Sequence, residues 1–201
     1  MSKDCSNIQK SLKWCEGTPS LPGIRRRLYY IAKSLILAWP KLPVDERGRV
    51  TGVKYVGDFT LEADAKWHCI DVLPASSQLT SEAQGELPSQ TQLNKLTAFH
   101  PGVGEEATAA SAYLNNSDNV FLVETMAGDF RVVGSDLYTG KTTVAQDLGQ
   151  GPTGTAGTTI SAEASDVVAS PFYAGKIEAE DGDFMADGSP LSEAADVRGD
   201  E

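Results

Sequence analysis

The sequence predicts a mainly-β domain with one principal helix, and three observations carry that reading. Residues 104–116 are the one clear amphipathic helix: Ala107, Ala110 and Leu114 recur at helical spacing, and Asn115 and Asn116 end the run. Glu105 and Glu106 stand in its first turn, where carboxylates suit the positive end of the macrodipole. Directly after it, Asn119–Thr125 and Asp129–Gly134 are β-branched and aromatic runs joined by a turn over Met126–Asp129 that contains Gly128, the pattern of a hairpin. Elsewhere short stretches alternate with period two between segments rich in Gly, Pro, Ser and Thr. A helix this short and Ala-rich does not persist alone, so it is expected to lie against a sheet, with the hairpin the nearest candidate.

Taken in order, residues 1–23 read as an irregular arm, polar at first and broken by Gly17, Pro19, Pro22 and Gly23. Residues 24–39 (IRRRLYYIAKSLILAW) fit two periods. Leu28, Ile31, Leu35 and Trp39 suit a helix, while Leu28 with Tyr30 and Tyr29 with Ile31 suit a strand. Pro40 and Pro43 end the segment. A turn is expected at Gly48, then a loosely alternating strand over Val50–Phe59 with Gly52 and Gly57 as bulges. Trp67–Leu73 alternates well and is read as a strand, with Cys69 as a small core residue. From Pro74 a long polar Ser/Gln loop, centred on Gln78–Gln92, leads to a strand over Gln90–Phe99, and the two flanking strands are expected to pair as a long hairpin. A short strand is expected around Thr142–Ala145, a flexible Gly/Thr-rich loop over Gly149–Thr159, and a closing strand over Thr159–Ala174 that Pro171 ends. Residues 176–201 hold nine acidic and two basic residues with little apolar content after Phe184-Met185, and read as a flexible acidic tail.

Length sets one domain with room for a real core. Mean hydropathy is −0.25, and the longest apolar run, Leu35–Trp39, is far below membrane-spanning length, so a soluble chain without membrane contact is expected. The polar N-terminus has no apolar h-region, which points to synthesis in the cytoplasm. Cys5, Cys15 and Cys69 are an odd number and fit reduced thiols without an intrachain disulfide. Charge is uneven: residues 1–54 carry a net +7 and residues 55–201 a net −18. The acidic part repels nucleic-acid phosphates; the basic part suits nucleic acid or an acidic surface, the nearest being another copy of the chain.

Cys5 and Cys15 lack a second pair or a nearby His, so they do not have zinc spacing. His68 and Cys69 are neighbours on a strand and point to opposite faces. No Gly-x-Ser-x-Gly elbow surrounds Ser76, Ser77, Ser81 or Ser89. Gly140-Lys141-Thr142 lacks the upstream glycines of a phosphate loop. Glu180, Asp181 and Asp183 crowd a glycine without EF-hand spacing. Glu105 and Glu106 are adjacent and do not face each other. No enzyme activity, metal or cofactor is expected. Arg25–Arg27 reads as a solvated or inter-subunit charge cluster rather than a nucleic-acid patch, because no aromatics interleave with it.

The order of features carries a resemblance. A strand (Trp67–Leu73) enters the polar loop TSEAQGELPSQT; LNKLTAF returns to a His-Pro-Gly break; then come the acidic-started helix, the hairpin NVFLVETMAGDFRVVG, a Thr/Gly-rich loop and a last strand closing at Pro171-Phe172-Tyr173. Over roughly residues 20–175 this resembles the major tail tube proteins of tailed bacteriophages, in particular those of phages and prophages of gut bacteria. The resemblance implies a β-sandwich or barrel with one flanking helix, residues 24–175 forming one tail-tube-like domain between the arm and the acidic tail. It implies a virion structural protein whose copies join sheets into rings, with the rings stacked into a tube that conducts DNA without binding it specifically. Expected partners are further copies and other phage tail proteins. Expected subunit-contact residues are Arg25, Arg26, Arg27, Tyr29 and Tyr30 in the first segment and Leu79, Glu82, Gln84, Glu86 and Gln90 in the polar loop. A capsid decoration protein and a β-sandwich binding module for glycans or proteins are the alternatives; few aromatics cluster beyond Tyr29-Tyr30, which counts against a glycan platform.

Overall fold

A computed structural model describes residues 10–191. Its strands, in chain order, are β1 (Ile24–Ala32), β2 (Ile36–Ala38), β3 (Thr60–Leu61), β4 (His68–Asp71), β5 (Gln78–Gln84), β6 (Thr91–His100), β7 (Asn119–Thr125), β8 (Phe130–Val133), β9 (Lys141–Asp147), β10 (Gly157–Asp166), β11 (Phe172–Tyr173), β12 (Lys176–Ala179) and β13 (Gly182–Met185). One α-helix, α1 (Glu105–Leu114), precedes β7. A five-stranded antiparallel sheet runs β11-β8-β7-β1-β4, and a four-stranded antiparallel sheet runs β5-β6-β10-β9. The chain is therefore mainly β with one helix, as the sequence predicts, and takes the sandwich form: among the described residues neither sheet closes into a barrel.

The two sheets face each other across a core built by period-two alternation. Leu28, Phe121, Val123 and Val133 come from the larger sheet; Leu96, Ala98, Ile160, Ala162 and Ala164 come from the smaller. The run of alanines on β10 keeps that side of the core thin. Gly157 is required at the start of β10, because a Cβ there would lie 2.1 Å from Cζ of Phe99 on the paired strand. Leu114 of α1 seals one end of this core. The helix packs beside β9 rather than on the β7–β8 hairpin, with Thr108 donating to the Gln146 side chain (3.2 Å) and Asn115 accepting from the Val144 N–H (2.7 Å).

A second core covers the other face of the five-stranded sheet. Tyr29, Ile31, Val120, Leu122, Phe130 and Val132 point into it, and Phe59, Trp67, Tyr173 and Ile177 close over them. Phe59 is its hub, with ring centroids 5.2 Å from Trp39, 5.4 Å from Trp67 and 5.0 Å from Tyr173. This second layer explains why residues 24–39 fit two periods. β1 is buried on both faces, so consecutive residues Leu28 and Tyr29 are both inside, and such a run reads equally as helix or strand. The segment is a strand, a 3-10 turn over Lys33–Leu35 and the short β2.

Several expectations are corrected. Residues 50–59 form isolated bridges (Val44 with Val50, Lys41 with Val56, Lys54 with Phe172) instead of a strand, and their role is to lay Tyr55 and Phe59 over the second core. The expected turn at Gly48 is present, with Asp45 accepting from the Arg47 and Arg49 N–H groups (both 2.9 Å). The polar loop after Pro74 is largely strand β5, paired in register with β6. β4 and β6 consequently lie in different sheets, touching where the Leu73 N–H donates to the Phe99 carbonyl (2.8 Å). Cys69 is exposed rather than a core residue, because β4 is an edge strand. Residues 176–191 are not a flexible tail: β12 and β13 form a hairpin whose Ile177 and Ala179 are fully buried. The remainder of the expected acidic tail, residues 192–201, lies outside the described residues, as do residues 1–9 of the expected arm, Cys5 among them.

Candidate subunit interface

The expected contact residues fall into two groups that the fold separates. Arg25, Arg26, Arg27, Tyr29 and Tyr30 belong to β1, inside the five-stranded sheet; Leu79, Glu82 and Gln84 belong to β5, at the edge of the other sheet, with Glu86 and Gln90 in the exposed turn beyond it.

Most of the β1 group is engaged within its own chain. Tyr29 is 8% exposed and packs on Phe184 (5.4 Å) and Phe130 (6.3 Å), which leaves little surface for a neighbour. Tyr30 is half-buried against His68 (5.3 Å) and Phe121 (6.1 Å). Arg25 pairs with Glu124 at 2.7 Å, where burial pushes the Glu124 carboxyl up and Arg25 pulls it down. Arg27 is held by Asp71 (3.0 Å) and Asp181 (2.5 Å), and the Asp71 hydrogen bond raises its affinity for the proton further. Much of the +7 of the N-terminal quarter is thus matched by acidic residues of the same chain. Arg26 is exposed and makes no side-chain bond among the described residues.

This division gives a testable contrast. Arg27→Glu sets a third carboxylate beside Asp71 and Asp181 and is expected to destabilise by about 1 kcal/mol, a modest figure because all three side chains are solvated. Arg26→Glu is expected to stay within about 0.5 kcal/mol of wild type. Thermal unfolding of the two variants side by side checks this; equal midpoints would contradict it.

Among the outer strands of the two large sheets, β5 is the one whose free edge bonds to no other segment among the described residues. The β4 edge is continued by Trp67, whose N–H donates to Glu178 (2.8 Å). β11 is flanked by residues 53–55, through the Phe172 N–H to Val53 and the Tyr55 N–H to Phe172 (both 2.9 Å). β9 is engaged by α1. β5 pairs with β6 on one side, and on the other its backbone groups make no hydrogen bond among the described residues. It is seven residues long, has no bulge, no Pro and no Lys, and only Glu82 is charged. Edges that must not pair are usually shortened, bulged or guarded by Lys or Pro, and this one is not.

The side chains of β5 anchor it to its own sheet. Leu79 packs on the sandwich core. Ser81 donates to Asn94 Oδ1 (2.6 Å), a buried amide that also accepts from the Ser170 N–H (2.9 Å). Gln84 donates to Thr91 (3.1 Å) and Ser165 (2.7 Å), and Glu82 pairs with Lys95 at 3.2 Å. Thr80 and Ala83 are exposed and were not singled out in the sequence. No local signal marks them: with only Leu79 and Ala83 apolar the run has no period-two burial, and it is a strand because β6 lies beside it.

His68 Nδ1 lies 2.9 Å from Glu180, with no nucleophile between them, and partial desolvation pushes the neighbouring Cys69 thiol up. Among the described residues Cys15 and Cys69 are free and no group of His, Cys, Asp and Glu could hold a metal ion; Asp183 is taken by Lys66 and Lys176. No described helix is long and apolar enough to cross a membrane. The chain matches no protein-family profile, and no curated protein or solved structure matches it.

Proposed function

We propose that the chain is a virion structural protein of tail-tube type, which joins copies of itself through the β5 edge into rings that stack into a DNA-conducting tube. The uncovered, bulge-free β5 edge is the observation that carries this reading. A second strand laid along it would satisfy its free backbone donors and acceptors in the same way that β6 does on the inner side. The order of elements that resembles tail tube proteins supports the same reading. So does the charge: a conduit must not hold DNA, and the excess of carboxylates over residues 55–201 removes the phosphate attraction that would slow passage. Other tail proteins would meet the ends of the tube.

The test is the size of the purified protein, by size exclusion and negative-stain microscopy, for wild type and for the double variant Thr80→Lys, Ala83→Lys. Both positions are exposed and neither is tied to β6 by its side chain. Wild type is expected to form rings or filaments, and the variant to remain a folded monomer. Wild type should not bind duplex DNA at about 0.15 M salt, where charges more than about 8 Å apart are screened. A wild type that stays monomeric at high concentration would instead point to a capsid decoration protein or a glycan- or protein-binding module.

A further inference from the structure

The arm carries large apolar side chains that its own chain does not bury. Residues 10–23 form no strand or helix and are exposed, with Leu12 at 101% and Trp14 at 72% relative exposure. Trp is among the residue types most enriched at the energetic centres of protein interfaces. The sandwich in turn has an unfilled place. α1 turns Ala107, Ala110 and Ser111 toward the sheets, side chains too short to fill the space above Ile70, Val144 and Ile160. The result is an open, mainly apolar groove of about 290 Å³ beneath the helix, large enough for an indole ring.

We propose that Trp14 of one copy docks in the α1 groove of a second copy. This rests on the self-assembly reading above and adds a second contact to it. The charges agree with that occupant: Lys10 and Lys13 precede Trp14, against the single carboxylate Glu16 that follows it, while Glu106, which has no ion-pair partner among the described residues, stands at the groove. The reach agrees as well. Nine residues separate Trp14 from Gly23; the Thr18 N–H closes a turn on the Cys15 carbonyl, and with that turn opened the arm reaches up to roughly 30 Å, enough to cross onto a neighbour. Gly23 leaves the fold beside the Met126 turn, whereas the groove adjoins Tyr30 at the far end of β1, about 20 Å along the strand. The arm therefore starts away from its own groove.

The thiols provide the experiment, because Cys15 follows Trp14 directly. Protein with Cys15 as its single thiol (Cys5→Ser, Cys69→Ser) is mixed with a size-tagged protein whose single thiol is Ala107→Cys (with Cys5, Cys15 and Cys69 all changed to Ser), and a short bis-maleimide is added. Circular dichroism checks that both are folded, and size exclusion of the same mixture records assembly. A crosslinked heterodimer is expected, and Trp14→Ala in the first protein should lower its yield by about tenfold or more. Assembly without the heterodimer would overturn the docking and leave the β5 reading standing. The heterodimer without rings would support the docking and overturn the ring. A heterodimer yield unchanged by Trp14→Ala would also overturn the proposal.

Discussion

Truncation after Gly175 is expected to abolish cooperative folding. Composition alone marks residues 176–201 as a flexible acidic tail, yet the β12–β13 hairpin is a wall of the second core. Ile177 and Ala179 are fully buried, and Phe184 covers Tyr29 and Phe130 with ring centroids at 5.4 and 6.0 Å. The hairpin is also bonded to the layer beneath it: Asp58 accepts the Lys176 N–H (2.8 Å), the Tyr173 hydroxyl donates to the Lys176 carbonyl (2.6 Å), and Trp67 bridges Ala179. Removal loses the burial of Ile177 and Phe184 and opens Tyr29, Phe130 and Trp67 to water. At about 1.5–3 kcal/mol per large side chain, the loss is about 5 kcal/mol or more, comparable with the whole stability of many domains. Ile177→Ala alone should cost about 2–5 kcal/mol. Urea unfolding followed by tryptophan fluorescence measures both. A truncated protein that unfolds at the wild-type midpoint would show that residues 176–191 are a detachable tail after all.

The second large effect concerns Asp166, at the end of β10. It is 3% exposed; its Oδ1 accepts the Val167 N–H at 2.6 Å, while Oδ2 is buried without a hydrogen-bond partner among the described residues. Burial pushes its pKa from the ordinary 3.8 up to about 6, with the nearby Asp136 charge adding in the same direction against the Val167 bond. The folded state thus prefers the protonated carboxyl. The stabilisation associated with it is fully present below about pH 4 and is lost as pH rises through 6. The loss at neutral pH has an upper bound of about 3 kcal/mol, from the shift in pKa. Asp166→Asn keeps the Oδ1 acceptor and removes the charge. It is expected to stabilise by about 1–2 kcal/mol at pH 8, less than the bound because its amide also lacks a partner, and to have little effect at pH 4. Thermal or urea unfolding at the two pH values checks this. An equal effect at both would mean that the carboxyl does not titrate between them.

Elements encoded by local chemistry are legible without the structure. The helix over Glu105–Leu114 follows from its spacing, its early carboxylates and the asparagines that end it. The β7–β8 hairpin follows from two apolar runs around Gly128, whose φ of +93° is the left-handed conformation that the turn needs. β6 and β10 follow from period two: the alternating sets Asn94, Leu96, Ala98 and Ile160, Ala162, Ala164 are the buried ones. Each of these signals lies within a dozen residues. The other elements depend on partners far away in the chain. β1 became a strand because both of its faces are covered, one by β6 and β10 and the other by residues 36–67 and the C-terminal hairpin. β5 became a strand because β6 lies beside it, although its polar side chains have no buried face to announce it. Arg25 and Arg27 found Glu124, Asp71 and Asp181, which no spacing rule connects to them. The acidic segment 176–191 became part of the core because Ile177, Ala179, Phe184 and Ala186 meet a sheet face already formed by β1, β7 and β8. Apolar burial depends on what the rest of the chain brings to the same place, and a short segment's own composition does not contain that information.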